Sequence, residues 1–254
     1  MMENGIPIHK LGKTPARKND KTLYMADYLT PALPTIPESF SWIDLNKITA
    51  WGMYLNDQYG ICVQAAEAHL IMARTAACGS LFVPPIQAVV DAYAGCTGFN
   101  PATGEGDNGT DELSWMGYMQ KTGIAGHKTG AYLAVNPKNI QEVKTAIYLF
   151  GGQLLGVQLP LYVQGLSSWD APADPNDPNA VPGSWGGHGI CGLSYSDLGI
   201  NIITWGKVLP VSWTFFTEFF DEAWADVSPD FVNGTKPAPN GFDMETLQND
   251  LNAL

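Results

Sequence analysis

The sequence predicts an α+β protein whose helices and strands are segregated into two lobes. Helix-forming segments dominate the chain to residue 150, whereas strand-forming segments begin at residue 154, with one further helix near the end. The 254 residues suffice for one large domain or for two lobes around a shared cleft. A hydrophobic content of 45% with only 15% charged residues indicates a well-buried core.

The first 40 residues are predicted to form an extended arm, because they lack periodic structure and prolines punctuate their second half. Five of the 13 basic residues lie in the first 21 positions, and the remainder of the chain is strongly acidic. The basic arm could therefore lie on an acidic surface, of its own chain or of a partner, or it could be a solvated tail.

Four helices are expected before the strands. The first runs from Cys62 to about Arg74 and is rich in Ala, Leu, Ile and Met. Two more are predicted over 85–94 and over 110–123, the latter with Thr110 as its N-cap. The fourth covers 137–150 and is ended by Gly151 and Gly152.

The second half reads as a strand over 154–161, a proline-rich loop over 165–187, and a hairpin of strands 188–193 and 199–205. Aromatic spacing then predicts a helix over 211–224. A Pro/Gly linker and a short polar helix follow. The predicted organisation is an arm over 1–40, a main domain over 41–232 and a tail over 233–254.

Composition excludes several classes of function. The net charge of −12 argues against nucleic-acid binding by the main domain. The sequence contains no secretory signal, no continuous apolar span, no CxxC or HExxH motif and no phosphate-binding glycine loop. We therefore expect a cytoplasmic protein with reduced cysteines and without a metal, a cofactor or a membrane partner.

Cys62 is the first candidate for chemistry, because a polar stretch at 56–60 leads into it and it opens a run of helix formers. A thiol at a helix N-terminus meets the positive end of the helix dipole, which stabilises its thiolate. An upstream amide could donate a hydrogen bond to a developing oxyanion. The alternative is a small buried cysteine without chemistry.

A thiol nucleophile needs a base, and the chain has four histidines. His9 lies in the arm and His127 in a loop. His69 is two helical turns from Cys62 and therefore out of hydrogen-bond reach. His188 follows Gly186 and Gly187 at the start of a strand, which permits close approach of another chain. The alternative for His188 is an ordinary residue at a strand end.

Four blocks of sequence resemble the papain-like cysteine protease family, in matching order and spacing. They are IPESFSWIDLNKITAWGMYLNDQYGICVQAA, DNGTDELSWMGYMQKTGI, NPKNIQEVKTAIYLFGGQLLGVQL and GGHGICGLSYSDLGINIITWG. Within that family, the chain resembles the small, prosegment-free forms encoded by phages and prophages. The resemblance implies a two-lobe fold, with a helical lobe whose central helix begins at Cys62 and an antiparallel β lobe that carries His188.

The resemblance also assigns roles to individual residues. Cys62 matches the nucleophile and His188 the general base. The oxyanion amide falls on Asn56, with Gln58 as the alternative. The Asn that orients the imidazole falls on Ile203, which departs from the family pattern and leaves Asn201 or Thr204 as the possible third member. The implied substrate cleft is lined by Gly60, Gly106, Asn108, Gly109, Gly187 and Trp205.

These roles imply hydrolysis of peptide or isopeptide bonds, with a peptide or protein as substrate. The departure at Ile203 keeps an alternative open, in which the fold is retained as a structural or binding component of a phage particle. In that case the N- and C-terminal arms would tie the chain to virion proteins, and the protein would be virion-associated.

Overall fold

The structure is a computed structural model that describes residues 2–3, 6–7, 9–19, 22–29, 35–46 and 48–232. The predicted tail over 233–254, with its short helix, lies outside the described residues. Within the described part of the chain, no helix is both long enough and apolar enough to cross a membrane.

Seven α-helices and nine β-strands occur among these residues. The helices are α1 (Trp42–Asn46), α2 (Cys62–Ala77), α3 (Ile86–Thr97), α4 (Glu112–Lys121), α5 (Ile140–Phe150), α6 (Trp213–Phe219) and α7 (Pro229–Val232). The strands are β1 (Met2–Glu3), β2 (Ile6–Pro7), β3 (Phe40–Ser41), β4 (Ala131–Ala134), β5 (Gln153–Leu159), β6 (Gly186–Tyr195), β7 (Gly199–Thr204), β8 (Lys207–Ser212) and β9 (Phe220–Val227).

Helix α2 is the centre of the helical lobe and begins at Cys62, as predicted. Every residue from Cys62 to Thr75 is buried, because small and apolar side chains let α3, α4 and the sheet pack around it. One hydrophobic cluster surrounds this helix, and a second lies between the sheet and helices α5 and α6. The two clusters confirm the predicted two-lobe α+β fold.

The strand lobe is built on a seven-stranded sheet in the order β4-β9-β5-β6-β7-β8, with β3 paired to the far end of β6. All of its pairings are antiparallel, and β6 and β7 form the predicted hairpin. His188 lies near the start of β6, opposite Val157 of β5.

The predicted helix over 211–224 is wrong. Strand β8 extends to Ser212, helix α6 covers only Trp213–Phe219, and β9 begins at Phe220. The aromatic spacing fits a helix, but residues 220–227 form an interior strand between β4 and β5, where both faces are largely buried and periodicity is lost. Helix α1 and strands β4 and β8 were not predicted. The N-cap of α4 is Asp111 and not Thr110.

The two lobes meet where α2 begins. A Cβ placed on Gly189 of β6 would lie 3.0 Å from the Cα of Val63, so a glycine at this position lets the strand approach the helix backbone. Because Gly189 follows His188 and Val63 follows Cys62, this close approach brings the backbone of His188 near that of Cys62.

Candidate active site

Cys62 lies at the N-terminus of α2 and is buried. The backbone N–H of Gly189 donates a hydrogen bond to its sulfur over 3.3 Å. The backbone N–H groups of Gly12 and Val63 also point at the sulfur, where they favour the thiolate. The nucleophile position therefore combines a helix N-terminus with converging backbone donors.

The His188 ring is fully buried, and its Nε2 lies 2.7 Å from the hydroxyl oxygen of Thr204. With the proton on Nε2, the ring donates to Thr204 and keeps a lone pair on Nδ1, which has no hydrogen-bond partner. Trp205 stacks on the imidazole at 4.4 Å between ring centroids. Nδ1 is thus the ring nitrogen available to accept the proton of a thiol.

Asn201 and Thr204 are the two candidates for the residue that orients the imidazole, and only one of them contacts His188. Asn201 donates its side-chain amide to the hydroxyl of Ser194, over 2.8 Å, whereas Thr204 contacts His188. The two residues are three positions apart on β7, so their side chains leave opposite faces of the strand. Thr204, not Asn201, therefore holds the orientation of the imidazole.

Of the two oxyanion candidates, only Asn56 is buried in the cleft. Its side-chain amide donates to the carbonyl of Lys10, over 3.1 Å, and more weakly to the carbonyl of Tyr59. Gln58 is exposed to solvent. The Asn56 amide is therefore the upstream donor near Cys62, and in this structure it is engaged by the N-terminal arm.

The arm runs through the cleft and covers Cys62. Lys10 donates its N–H to the carbonyl of Asn56, Lys13 to that of Gly187 and Thr14 to that of Thr110. Thr110 in turn donates to the carbonyl of Gly12 over 2.7 Å. Residues 10–14, which we call the cleft segment, thus bind as an extended chain through backbone hydrogen bonds.

Three glycines make this fit possible. A Cβ on Gly12 would lie 2.0 Å from the carbonyl oxygen of Gly60, and a Cβ on Gly109 would lie 1.9 Å from that of Gly12. Gly187 similarly faces the carbonyl of Lys13, where a Cβ would come within 2.3 Å. Backbones approach here more closely than any side chain permits.

Of the six residues predicted to line the substrate cleft, some lie at the cleft and others do not. Gly60, Gly109 and Gly187 contact the cleft segment, and Trp205 stacks on both His188 and His9 of the arm. Gly106 faces the backbone of Gly98 instead, and Asn108 is exposed. The segment over 106–109 thus contributes its last residue, together with Thr110, to the cleft.

Burial holds the pair in its neutral form while the arm is bound. It raises the pKa of Cys62 to about 11, and it lowers the pKa of His188 to about 3 with a further contribution from the nearby His9. The thiol is therefore protonated and the imidazole neutral at pH 7. An ion pair requires the access of water that the arm prevents.

Several groups that line the cleft were not identified from the sequence. Asp107 accepts hydrogen bonds from the N–H of Gly60, the hydroxyl of Tyr93 and the ammonium of Lys10, the last over 2.7 Å. Burial alone would raise the pKa of Asp107, but these donors lower it. No local motif marks this carboxylate, since its partners lie 14 to 97 positions away.

Acid should release the cleft segment. The pKa of His188 is depressed below its ordinary 6.5 in the closed cleft. The neutral imidazole therefore stabilises the closed cleft above pH 6.5, and this stabilisation is lost as the pH falls towards 3. The lowered pKa values of His9 and Asp107 act in the same direction. We expect amide exchange protection at Lys13 and Thr14 to fall about tenfold for each pH unit below 6.5.

The measurement is hydrogen exchange followed at single amides and expressed as protection factors, which remove the intrinsic effect of pH. The amide of Ala65, inside α2, is the internal control and should keep its protection. Equal protection of Lys13 and Thr14 at pH 7 and pH 4.5 would contradict acid release.

Among the described residues, no three His, Cys, Asp or Glu side chains are arranged to hold a metal ion. The chemistry available to the site is that of a thiol, an imidazole and hydrogen-bond donors. Together these groups can support nucleophilic attack by sulfur on a carbonyl carbon, with proton transfer through the imidazole.

The fold is that of the papain-like cysteine proteases, as solved structures of that class show. Xylellain, a cysteine protease from Xylella fastidiosa, superposes with a TM-score of 0.57 at 14% identity, over 89% of this chain and 98% of its own. The Carica candamarcensis cysteine protease CMS1MS2 superposes with a TM-score of 0.53 at 15% identity, over 76% of this chain and 99% of its own.

A third structure, procathepsin B S9 from Trypanosoma congolense, gives a TM-score of 0.60 at 12% identity, with 86% of each chain covered. No family model matches the sequence, and no curated protein matches it. At these identities the likeness establishes the papain-like fold, and the activity has to be argued from the site.

Proposed function

We propose that this protein is a papain-like cysteine peptidase that its own N-terminal arm holds latent. One observation carries the proposal: an extended peptide lies over a thiol at a helix N-terminus, held by backbone hydrogen bonds beside a buried imidazole. A cleft that binds a main chain in this way is suited to bind a peptide substrate.

The chemistry follows from the positions of the groups. Once the arm leaves, Nδ1 of His188 takes the proton of Cys62, and the sulfur attacks the carbonyl carbon of a peptide bond. The backbone N–H groups at the start of α2 and the Asn56 amide stabilise the oxyanion. The imidazolium then protonates the departing amine, and water hydrolyses the thioester to free the thiol and a carboxylate.

The cleft segment is not itself placed for cleavage. The peptide bond between Leu11 and Gly12 directs its N–H at the sulfur, so its trans geometry directs its carbonyl oxygen away. The next carbonyl, that of Gly12, is engaged by the N–H of Thr110. The arm therefore occupies the cleft as a blocking segment and must be displaced before a substrate can bind.

The proposal predicts that His188 activates Cys62. We expect His188→Ala to lower the alkylation rate of Cys62 by iodoacetamide at pH 6 by about 100-fold, because the opened site loses the imidazolium that stabilises the thiolate. Hydrolysis of a denatured protein substrate should fall with it. The rate is measured on the Cys62 peptide by mass spectrometry, since Cys78 and Cys96 are also partly accessible.

His127→Ala is the matched control, because that ring pairs with Asp230 over 2.6 Å on another part of the surface. It should leave both rates unchanged. Equal alkylation of Cys62 in the His188→Ala and unaltered proteins would refute the thiol–imidazole pair. Intact alkylation without any hydrolysis would instead favour the alternative, a retained fold that serves as a structural component.

Phage encoding and attachment to a virion through the two arms stay predictions. The cleft segment binds the main domain of its own chain. This supports the prediction that the basic arm lies on a surface of its own chain and not on that of a partner. Co-purification with virions at fixed stoichiometry, with Cys62→Ala leaving assembly intact, would support the structural role.

A further inference from the structure

The side chain of Lys13 enters an acidic pocket of the main domain. Its exposed fraction is zero, and its ammonium lies 3.1 Å from a carboxylate oxygen of Asp221 and 3.2 Å from one of Glu222. Glu112 and Gly156 complete the wall. We call these four residues, Glu112, Gly156, Asp221 and Glu222, the lysine pocket.

Gly156 gives the pocket its depth. A Cβ at this position would lie 2.0 Å from Cε of Lys13 and 3.0 Å from Oε1 of Glu112. The only atoms within 3.0 Å of that Cβ belong to these two side chains. Because Gly156 has no side chain, the long aliphatic chain of Lys13 passes through the space that a methyl group would fill.

Glu112 indicates that the pocket is made for a cation. Its exposed fraction is zero, and neither of its carboxylate oxygens has a hydrogen-bond partner. Burial alone would lower the pKa of Lys13, but the neighbouring Glu112, Glu222 and Asp221 raise it, so the ammonium stays charged. Burial raises the pKa of Glu112 and Glu222 in turn, which is the cost of placing these carboxyl groups around one point. Glu112 and Glu222 are buried, and Asp221 beside them is partly exposed. Two buried carboxyl groups that face one point are costly unless a cation fills it.

The pocket is fixed to the substrate cleft by the backbone. Lys13 donates its N–H to the carbonyl of Gly187, and its neighbour Gly12 directs its own N–H at the sulfur of Cys62. A side chain that enters the pocket thus belongs to the residue next to the one over the nucleophile. Every wall residue belongs to the main domain, so the pocket remains when the arm leaves.

We propose that the lysine pocket is a specificity subsite that selects peptide substrates with a lysine next to the residue lying over Cys62. The inference rests on the proposed peptidase function and names its substrate class. Lysine fits better than arginine, because a compact ammonium reaches both Asp221 and Glu222 past Gly156, whereas a planar guanidinium is wider. An aliphatic residue would leave Glu112 and Glu222 buried without a cation.

The test uses the full chain carrying Gly12→Ala, because a Cβ at this position would clash with the carbonyl oxygen of Gly60 and so favours the open cleft. The substrates are a set of internally quenched, alanine-based peptides. Each peptide carries one Lys, Arg, Leu or Glu, and the position of that residue is varied near the centre of the peptide. We expect kcat/KM for the best Lys peptide to exceed that for its Leu counterpart at least 100-fold, and Asp221→Asn with Glu222→Gln to reduce this ratio at least tenfold.

Gly156→Ala provides a second variant that keeps every charge but fills the space beside Cε; it should also reduce the ratio. Asp91→Asn with Glu105→Gln, two exposed acidic residues of the helical lobe, is the matched control and should preserve it. Hydrolysis without a preference for Lys over Leu would overturn the inference while leaving the peptidase function intact.

A binding measurement tests the lysine pocket even if the protein is not a peptidase. Binding of the same fluorescent peptides to the full chain with Gly12→Ala and Cys62→Ala needs no catalysis. Tighter binding of the Lys peptide, weakened by Gly156→Ala, would support the lysine pocket even if no variant hydrolysed a substrate. Equal binding of the Lys and Leu peptides would refute it.

Discussion

Replacing Gly12 by alanine should unmask Cys62. The new methyl group would lie 2.0 Å from the carbonyl oxygen of Gly60, a backbone atom that cannot turn aside. Overpacking of this kind costs up to about 3 kcal/mol, which corresponds to a roughly 100-fold larger population with the cleft open. The alkylation rate of Cys62 at pH 7 and the rate of peptide hydrolysis should rise together by that factor.

Gly117→Ala is the matched control for the unmasking experiment. Gly117 lies in α4, and a Cβ there meets no atom within 4 Å. This variant should alkylate at the unaltered rate and be at least as stable, since alanine favours the helix. If folded Gly12→Ala protein alkylated at the unaltered rate, the cleft segment would not be what protects Cys62.

The second large effect should follow from replacing Arg74 by leucine. The guanidinium is buried and pairs with both carboxylate oxygens of Asp226 on β9. It also donates to the carbonyl of Phe150, at the end of α5, over 3.0 Å. Arg74 thus ties the central helix of one lobe to the sheet of the other.

Glu67 lies next to the Arg74–Asp226 pair, but it is not a second full counter-charge for the guanidinium. Burial and the charge of Asp226 raise the pKa of Glu67 against the effect of Arg74, 3.4 Å away, so the neutral acid is favoured. Arg74→Leu would therefore leave the carboxylate of Asp226 buried without a cation. We expect the free energy of unfolding, measured by urea denaturation, to fall by about 3–5 kcal/mol.

Arg17→Leu is the matched control, because Arg17 is the only other arginine in the sequence. Its side chain is 64% exposed and pairs with Asp111 over 3.2 Å. Removing an exposed pair of this kind costs less than about 1 kcal/mol. A comparable loss of stability in both variants would contradict a special role for the buried pair.

The parts of the fold that the sequence predicts are those with local signals. Helix α2 is recognisable from its composition, and the β6–β7 hairpin from its apolar strands and turn. Strand β9 is not, because it lies inside the sheet and its aromatic residues happen to share the spacing of a helix. A segment buried on both faces carries no reliable period.

The same limit applies to the site. A thiol before a helix and a histidine after two glycines are visible in the sequence, and the structure places Gly189, the neighbour of His188, at the sulfur of Cys62. The choice between Asn201 and Thr204 is not visible, because β6 and β7 shift register between Gly192 and Ser194. The lysine pocket has no local signal either, since its acidic residues lie in helix α4 and strand β9, more than a hundred positions apart along the chain.

The way in which the arm is anchored has a consequence for how substrates compete. Tyr24 pairs with Ala134 on β4, and Met25 and Tyr28 are buried, so the chain is fixed ten residues beyond the end of the cleft segment. A segment on so short a tether has an effective concentration of about a millimolar or more. Latency should therefore be the same at any dilution of the protein, and a free peptide must compete with that local concentration.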